Sequence, residues 1–553
     1  MMAKTKASQG QEMKNNRARK RLMAGLALVL AMATWGCRIT DDDVSAWAKK
    51  ASGPRKLVAV LQHDKYDLDL RVKSALTLAT MKPRGGRAVG LLGNEEFIGL
   101  LDGLSELSDE ERQGIVEGMV PELVAGIATI PEGDEPDASI PYKDAAYALL
   151  TFEGKPLVSD KVSEKALNNA LVGWAQNNFV KRMEDTSQLY GMEQVLRYVR
   201  APGVRGLTGL LEADFKKIRE LANLIDELGD DATKLDASAR LVKVAAHVDS
   251  EAWIKQKAPA VEAANKRSGL TVKPKQFEKQ LEAYQEEELL RLFGAMKSVG
   301  EDPIVNYLLA YAQDTENPEK RRAAALAGLE NNLDRKNENH AKAMLDFLAS
   351  DETPDSIRDV AARRVGELSR DQVAERLYAL FDHDRWQLRA TVASLLLKMT
   401  SADEMDEFMG KLGKVRRMAL SEPLTYGPLL GEISGADPTA LVEKYSAKGE
   451  PVAVRLSALG YYYSKGTKAD LAKIEPLKAD KQKAPTCPKD AQQCAWTCTV
   501  PGEKAGVVKD VKTVGQFVEY CLVPSMSSRE PALDEKTKSD KAEAPQEDRP
   551  KSQ

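Results

Sequence analysis

Ser356-Ile357-Arg358-Asp359-Val360-Ala361-Ala362-Arg363-Arg364-Val365-Gly366-Glu367-Leu368 reads as one amphipathic helix. Ile357, Val360, Ala361, Val365 and Leu368 recur at three- and four-residue steps, which places them on one helical face. Ser369-Arg370-Asp371-Gln372 follows with the spacing of a capping box and starts a second helix. Val373, Leu377, Leu380 and Phe381 form its apolar face. After the break Asp382-His383-Asp384, a third face comprises Leu388, Val392, Leu395, Leu396 and Met399. Ser401 with Glu404, and Ser108 with Glu111, repeat the capping signal. This periodicity extends from Val44 to about Lys473, and no long strict alternation marks a strand.

The helices recur as well as repeat their period. One phrase joins an apolar or small residue, a basic residue, and small or apolar residues three and four further on. It stands at Leu70-Arg71 with Ser74 and Ala75, at Glu319-Lys320 with Ala323 and Ala324, and at Ile357-Arg358 with Ala361 and Ala362. It returns at Leu388-Arg389 with Val392 and Ala393, and at Val454-Arg455 with Ala458 and Leu459. Tyr142 with Ala145 and Ala146 is a weaker sixth copy. A recurrence of 30–45 residues built from helix pairs predicts a solenoid, because one pair cannot bury both of its apolar faces.

The phrase from Ile357 to Leu368 resembles the second-helix signature of HEAT and HEAT-like (PBS-lyase-type) repeats. The expected fold is all-α, an α-solenoid of helical hairpins. The resemblance implies that Arg71, Arg358, Arg389 and Arg455, each preceded by acidic residues, form a structural ladder between neighbouring repeats. The expected organisation is N-terminal repeats over 37–135, a helical region with degenerate repeats over 136–300, and C-terminal repeats over 301–473. Gln276 to Lys297 reads as one long helix within the degenerate stretch.

The two ends differ in character. Seven basic residues and one acid precede the uncharged run Leu22–Gly36, whose 15 residues are short of the roughly 20 needed to span hydrocarbon. Residues 1–36 therefore read as an export signal. Ala31-Met32-Ala33 fits an ordinary cut site, whereas Thr34-Trp35-Gly36-Cys37 resembles a bacterial lipobox, which implies lipidation at Cys37. Lipidating Cys37 leaves four of the five cysteines, an even number that can form two disulfides. Arg38, in place of the retaining Asp, implies the outer membrane of a bacterial envelope, on its periplasmic or surface face. At the other end Cys487, Cys494, Cys498 and Cys521 define a disulfide-bearing module over 474–525, with three pairings open. Zinc is the weaker reading there, because tight C-x2-C knuckles and a nearby His are missing. Residues 526–553 are Ser/Lys/Glu/Asp/Pro-rich and read as a disordered tail.

Composition bounds function. The whole chain of 553 residues carries net charge −4, with 30% charged and 43% hydrophobic residues. Without residues 1–36 the charge becomes −10, which argues against nucleic acid as a partner. No phosphate loop, dinucleotide fingerprint, HExxH or GxSxG stands in the sequence. Neither a cofactor nor a metal site is expected. Lys82-Pro83-Arg84-Gly85-Gly86-Arg87 reads as an inter-helix turn, and His63, His247, His340 and His383 are scattered. Gln285-Glu286-Glu287-Glu288 reads as a solvated helix face. The expected function is non-catalytic: a lipid-anchored scaffold that binds protein partners through its repeat surface. One alternative is a lyase-type enzyme, or an enzyme's accessory subunit, with a pocket in 155–300 that is lined by carboxylates or His247. Another is a structural envelope component that acts through its C-terminal disulfide module.

Overall fold

The computed structural model describes residues 39–84, 87–131, 135–485, 496–500 and 506–531. The expected signal segment, Cys37, Cys487, Cys494 and nearly all of the expected tail lie outside them. The chain divides into two compact units. One comprises the described residues up to Leu210 together with Leu224–Thr233. The other comprises Leu211–Asn223 together with the described residues from Lys234 onward. Among the described residues, no helix is long and apolar enough to cross a membrane.

In the first unit, α1 (Asp41–Trp47), α2 (Gly53–Gln62), α3 (Leu68–Ala79) and α4 (Asp109–Ile127) are followed by α5 (Ile140–Thr151), α6 (Lys161–Gln176), α7 (Phe179–Glu184) and α8 (Met192–Val199). Helix α3 pairs with α2 and packs on α4, which in turn packs on α5 and α6. Asp67 caps α3 and Ser108 caps α4, each accepting a backbone N–H from the first turn.

Helix α9 (Ile218–Leu228) leads into α10 (Asp231–Val248). The second unit then continues through α11 (Glu251–Arg267), α12 (Pro274–Val299), α13 (Asp302–Gln313), α14 (Glu319–Gly328), α15 (Glu338–Ala349) and α16 (Asp355–Val365). After these come α17 (Arg370–Ala379), α18 (Trp386–Met399), α19 (Met405–Leu412), α20 (Ser421–Tyr426), α21 (Pro438–Tyr445) and α22 (Val452–Lys465). Consecutive helices form hairpins: α13 with α14, α15 with α16, α17 with α18, and α21 with α22. The even-numbered members α12, α14, α16, α18, α20 and α22 also pack on one another in order. The unit is thus a two-layered stack whose inner layer carries the repeated phrase, as a solenoid of helical hairpins requires.

The decisive helix behaves as its spacing predicts. Ile357, Val360, Ala361, Val365 and Leu368 are all buried on one face of α16 and the turn after it. Ala361 is fully buried where α16 meets its neighbours, so Ala361→Leu must overpack the inner layer. A loss of roughly 1–3 kcal/mol in urea denaturation is expected, and an unchanged midpoint would place Ala361 wrongly. A close backbone approach in the stack is between α22 and the chain around α20. A Cβ on Gly460 would stand 2.1 Å from the Pro423 carbonyl oxygen, so only glycine allows the backbones to meet there.

Three readings shift. Ser369 precedes α17 but its hydroxyl does not cap that helix; it donates to the Arg335 carbonyl at 2.8 Å instead. Arg321 and Arg322 are both buried on α14, and it is Arg322 that closes the preceding helix, whereas the Lys320 ammonium lies outside and bonds Glu286 at 2.5 Å. The phrase is misaligned there because α14 places a lysine and two arginines in succession. Strands also exist: β1 (Thr497–Val500) and β2 (Val507–Asp510) form an antiparallel pair, each only four residues long and thus too short to show alternation.

The C-terminal module closes the stack. Cys498 is bonded to Cys521. A continuous helical stretch over 514–527 contains a π turn at Val518–Leu522, and it packs on α22. The Trp496 indole N–H donates to the Met418 carbonyl at 2.8 Å. The order runs past 526, where a tail was expected to begin. Met526 is fully buried, and Arg529 donates to the Gly466 carbonyl at 2.8 Å.

Candidate functional site

The recurring arginines are buried and bonded. Arg71, Arg322 and Arg358 each donate Nε to a carbonyl ten residues earlier, on Leu61, Ala312 and Leu348, at 2.8, 2.8 and 3.3 Å. Arg455 donates its Nε to the Ser446 carbonyl, nine residues earlier, at 3.1 Å. Each acceptor lies at the C-terminal end of the first helix of the hairpin, where carbonyls lack intrahelical partners and the dipole favours a cation. The arginine therefore closes its own hairpin. Some also reach forward, Arg71 to Glu111 at 3.2 Å and Arg455 to Asp480 at 2.5 Å. Arg389 meets Glu422 through Nε at 3.2 Å and Nη2 at 2.5 Å, both groups being buried. Burial pushes the Glu422 carboxyl above its ordinary value, against the pull of Arg389 and the Ala419 N–H. Asp355 pairs both with Arg358 of its own helix at 2.5 Å and with Arg385 at 2.6 Å, and Arg417 pairs with Asp384. Sequence spacing could not separate these roles at α18, because Arg385 and Arg389 stand four residues apart at its start.

The largest polar network in the first unit was not anticipated. Arg182 is buried and its Nε bonds Asp137 at 2.7 Å. Its Nη1 donates to the Trp174 carbonyl at 2.6 Å, and its Nη2 donates to the Thr129 carbonyl at 3.2 Å and Ser139 Oγ at 3.1 Å. Ser139 Oγ accepts the Trp174 indole N–H at 2.9 Å. Lys143, with no exposed surface, bonds Asp144 at 2.5 Å and also donates to the Tyr190 carbonyl. Burial lowers the Lys143 ammonium, while Asp144 opposes the shift. These groups saturate one another, as buried polar atoms must.

The histidines have separate fates. His63 ends α2 beside Asp64, His340 accepts the Asp334 N–H at 3.1 Å, and His383 stands 3.5 Å from Asp351. His247 faces a cavity. That cavity, of 380 Å³, lies in the second unit between α10, α11 and the segment before α9. Arg240, Lys243, Val244 and His247 come from one face of α10, at steps of three and four. Trp253, Gln256 and Lys257 come from α11, and Leu211, Glu212 and Ala213 from the incoming chain.

The wall is built and braced. Asp214 adopts left-handed backbone geometry, φ 66°, which an aspartate holds only where its surroundings fix it. Its N–H donates to Glu288 at 2.8 Å, and its carboxylate takes the Tyr284 hydroxyl and the Lys257 ammonium. Burial alone would raise the Asp214 carboxyl, but Lys257 and Tyr284 outweigh it and hold the group below its ordinary value. Glu288 also pairs with Arg291, which donates to the Phe215 carbonyl. Gln285 donates to the Val248 carbonyl at 2.7 Å, at the end of α10. Gln285 and Glu288 are thus buried braces and not a solvated face, because a three-residue step turns both inward.

A second cavity of 510 Å³ in the first unit is lined by Lys49, Lys73, Lys82, Arg84 and Glu122 among others. Arg84 is committed to the carbonyls of Ala48, Lys50 and Ala51 after α1. Among the described residues, no group of three or more His, Cys, Asp or Glu is placed to hold a metal ion.

No family model and no curated protein matches the chain. Solved structures that it is similar to include the karyopherin Kap121p bound to the SUMO protease Ulp1p. That match has 12% identity and a TM-score of 0.26, and it covers 78% of this chain and 44% of that one. A mutant of Kap121p gives 12% identity and a TM-score of 0.21, covering 89% of this chain and 63% of that one. The chain spans less than two thirds of the length of either.

Proposed function

We propose that the protein is a non-catalytic scaffold that binds protein partners through its stacked hairpins and is held to a bacterial envelope membrane by lipid on Cys37. The observation that carries the binding role is the two-layered stack of the second unit. Its inner layer fixes the outer helices at regular spacing, which suits recognition of an extended partner. Affinity would come from a few anchors within that surface and not from its total area. Photo-crosslinking residues placed at Lys342 on α15 and Glu375 on α17, both exposed on the outer layer of the stack, provide the test in intact cells. One or more discrete protein adducts are expected, identified by mass spectrometry. Their absence at these and neighbouring exposed positions would remove the reading.

Anchoring rests on the sequence Thr34-Trp35-Gly36-Cys37. An acyl chain gains about 0.8 kcal/mol per buried CH₂, so several chains on one cysteine hold a protein firmly. Labelled palmitate should appear on the wild type and vanish in Cys37→Ala, which should also leave the membrane fraction. Unlabelled wild-type protein would end the lipid-anchor proposal while leaving the scaffold untouched.

The presence of His247 in a cavity favours a second, enzymatic reading. General-base chemistry needs a base oriented by a further group and placed beside a nucleophile or acid. Glu212 is the one carboxylate in the lining, and the His247 ring has no hydrogen-bond partner among the described residues. The lining chemistry is better suited to holding a charge than to moving a proton.

A further inference from the structure

We propose that the cavity between α10 and α11 binds a small organic anion, its carboxylate or phosphate held by Lys243, His247 and Arg240 and its body seated on Leu211, Ala213 and Val244. The site is independent of the protein-binding surface, so either can fail without the other.

The cations are unequal, and that inequality locates the anion. Lys257 is neutralised by Asp214, and Arg240 gives its Nε to Asp236 at 3.0 Å. The Arg240 Nη groups, the Lys243 ammonium and the His247 ring make no bond to another described side chain. Lys243 and His247 stand four residues apart on α10, so they rise from one face within one turn. Two donors at that spacing, with the guanidinium one turn before them, match the several oxygens of a carboxylate or phosphate.

The wall at Trp253 is closed. Trp253 is 1% exposed, and its indole N–H has no acceptor among the described residues. That nitrogen has essentially no accessible surface, so it does not open onto the cavity. Its ring is already enclosed, with the Tyr284 ring centre at 5.2 Å and the Lys257 ammonium at 5.7 Å from its own centre. The indole therefore forms wall and not a stacking platform. At 380 Å³ the cavity falls in the range of small-molecule sites and exceeds what inorganic phosphate fills. The braced, left-handed Asp214 keeps the incoming segment in position against α11, which is the support a preformed site needs.

The charge of the whole chain selects among anions. Net charge −10 without residues 1–36 disfavours approach of a long polyanion. A small anion meets only the local donors, so an acidic peptide is the less favoured occupant.

The test is titration calorimetry of the full chain with phenyl phosphate, benzoate, inorganic phosphate and hexaglutamate. Phenyl phosphate or benzoate should bind the wild type. In Lys243→Gln/His247→Gln the Kd should rise at least tenfold with an unchanged melting temperature. Glu212→Gln, which removes the one carboxylate of the lining, should lower Kd. Binding that is equal in wild type and double variant would put the ligand elsewhere and overturn the site. Weaker binding in Glu212→Gln, or no heat with either organic anion, would also overturn it. Inorganic phosphate binding as tightly as phenyl phosphate, or hexaglutamate binding in its place, would overturn the assignment of a small organic anion.

Discussion

Arg182→Met should destabilise the first unit by roughly 3–5 kcal/mol, because it strands a buried carboxylate. Asp137 and Arg182 are both almost wholly enclosed, and the guanidinium also serves the carbonyls of Thr129 and Trp174. Removing the cation leaves Asp137 with Ser139 alone. Burial would push the Asp137 carboxyl up, but in the wild type Arg182 and Ser139 outweigh it and hold the group below its ordinary value. A depressed carboxyl contributes stability that is complete above the unfolded value, near 3.9. That stability is lost as pH falls through the folded value. The advantage of wild type over Asp137→Asn should therefore be constant from pH 7 to pH 5 and shrink below about pH 4. Urea denaturation with hydrogen exchange on peptides covering 139–182 measures both effects. Arg182→Met/Asp137→Asn, which leaves no unpaired charge, should be more stable than Arg182→Met. A loss below about 1 kcal/mol for the single variant would mean that solvent reaches Asp137.

This network also marks where sequence reading gives out. The repeats over 304–465 are visible because α16, α18 and α22 each place a buried arginine and small residues at fixed steps. At α16 and α22 the arginine closes the end of the helix before it, whereas Arg389 of α18 donates to the His383 and Asp384 carbonyls of the connecting turn and to Glu422. In 136–210 the helix ends are closed differently. Arg182 sits on α7, a helix of six residues, and satisfies a loop carbonyl, a helix end and Asp137 together. Its partners are 45 and 53 residues away, so no local spacing encodes them. The cavity at His247 was legible in part. The steps of Arg240, Lys243 and His247 along α10 are readable, whereas Asp214 and Glu288 meet across 74 residues. The cysteine arithmetic limited the pairings to three without choosing, and the described Cys498–Cys521 bond chooses for that pair.

Removing that bond, in Cys498→Ser/Cys521→Ser, should cost about 3 kcal/mol, the loop-closure value for a separation of 23 residues. The loss should appear in one place. A solenoid must cover the apolar face of its last repeat, and here the 514–527 stretch covers it. Val514, Phe517, Leu522 and Met526 are fully buried, and Ser525 donates to the Tyr463 carbonyl at 2.7 Å. Two backbone bonds join this stretch to the end of the array, from Val514 to Gln482 and from Gly515 to Asp480, both at 3.0 Å. Asp480 in turn is the partner of Arg455, so the cap is tied to the arginine that closes the last hairpin. Loosening β1 from the cap helix therefore weakens the support of α22 before that of any earlier helix. Hydrogen exchange should rise first over 496–527 and 452–465, and stay unchanged over 304–365. Exchange that rises uniformly along the array would mean that the bond constrains the unfolded chain without bracing the cap. Unchanged exchange at α22 would mean that the helix holds without its cover.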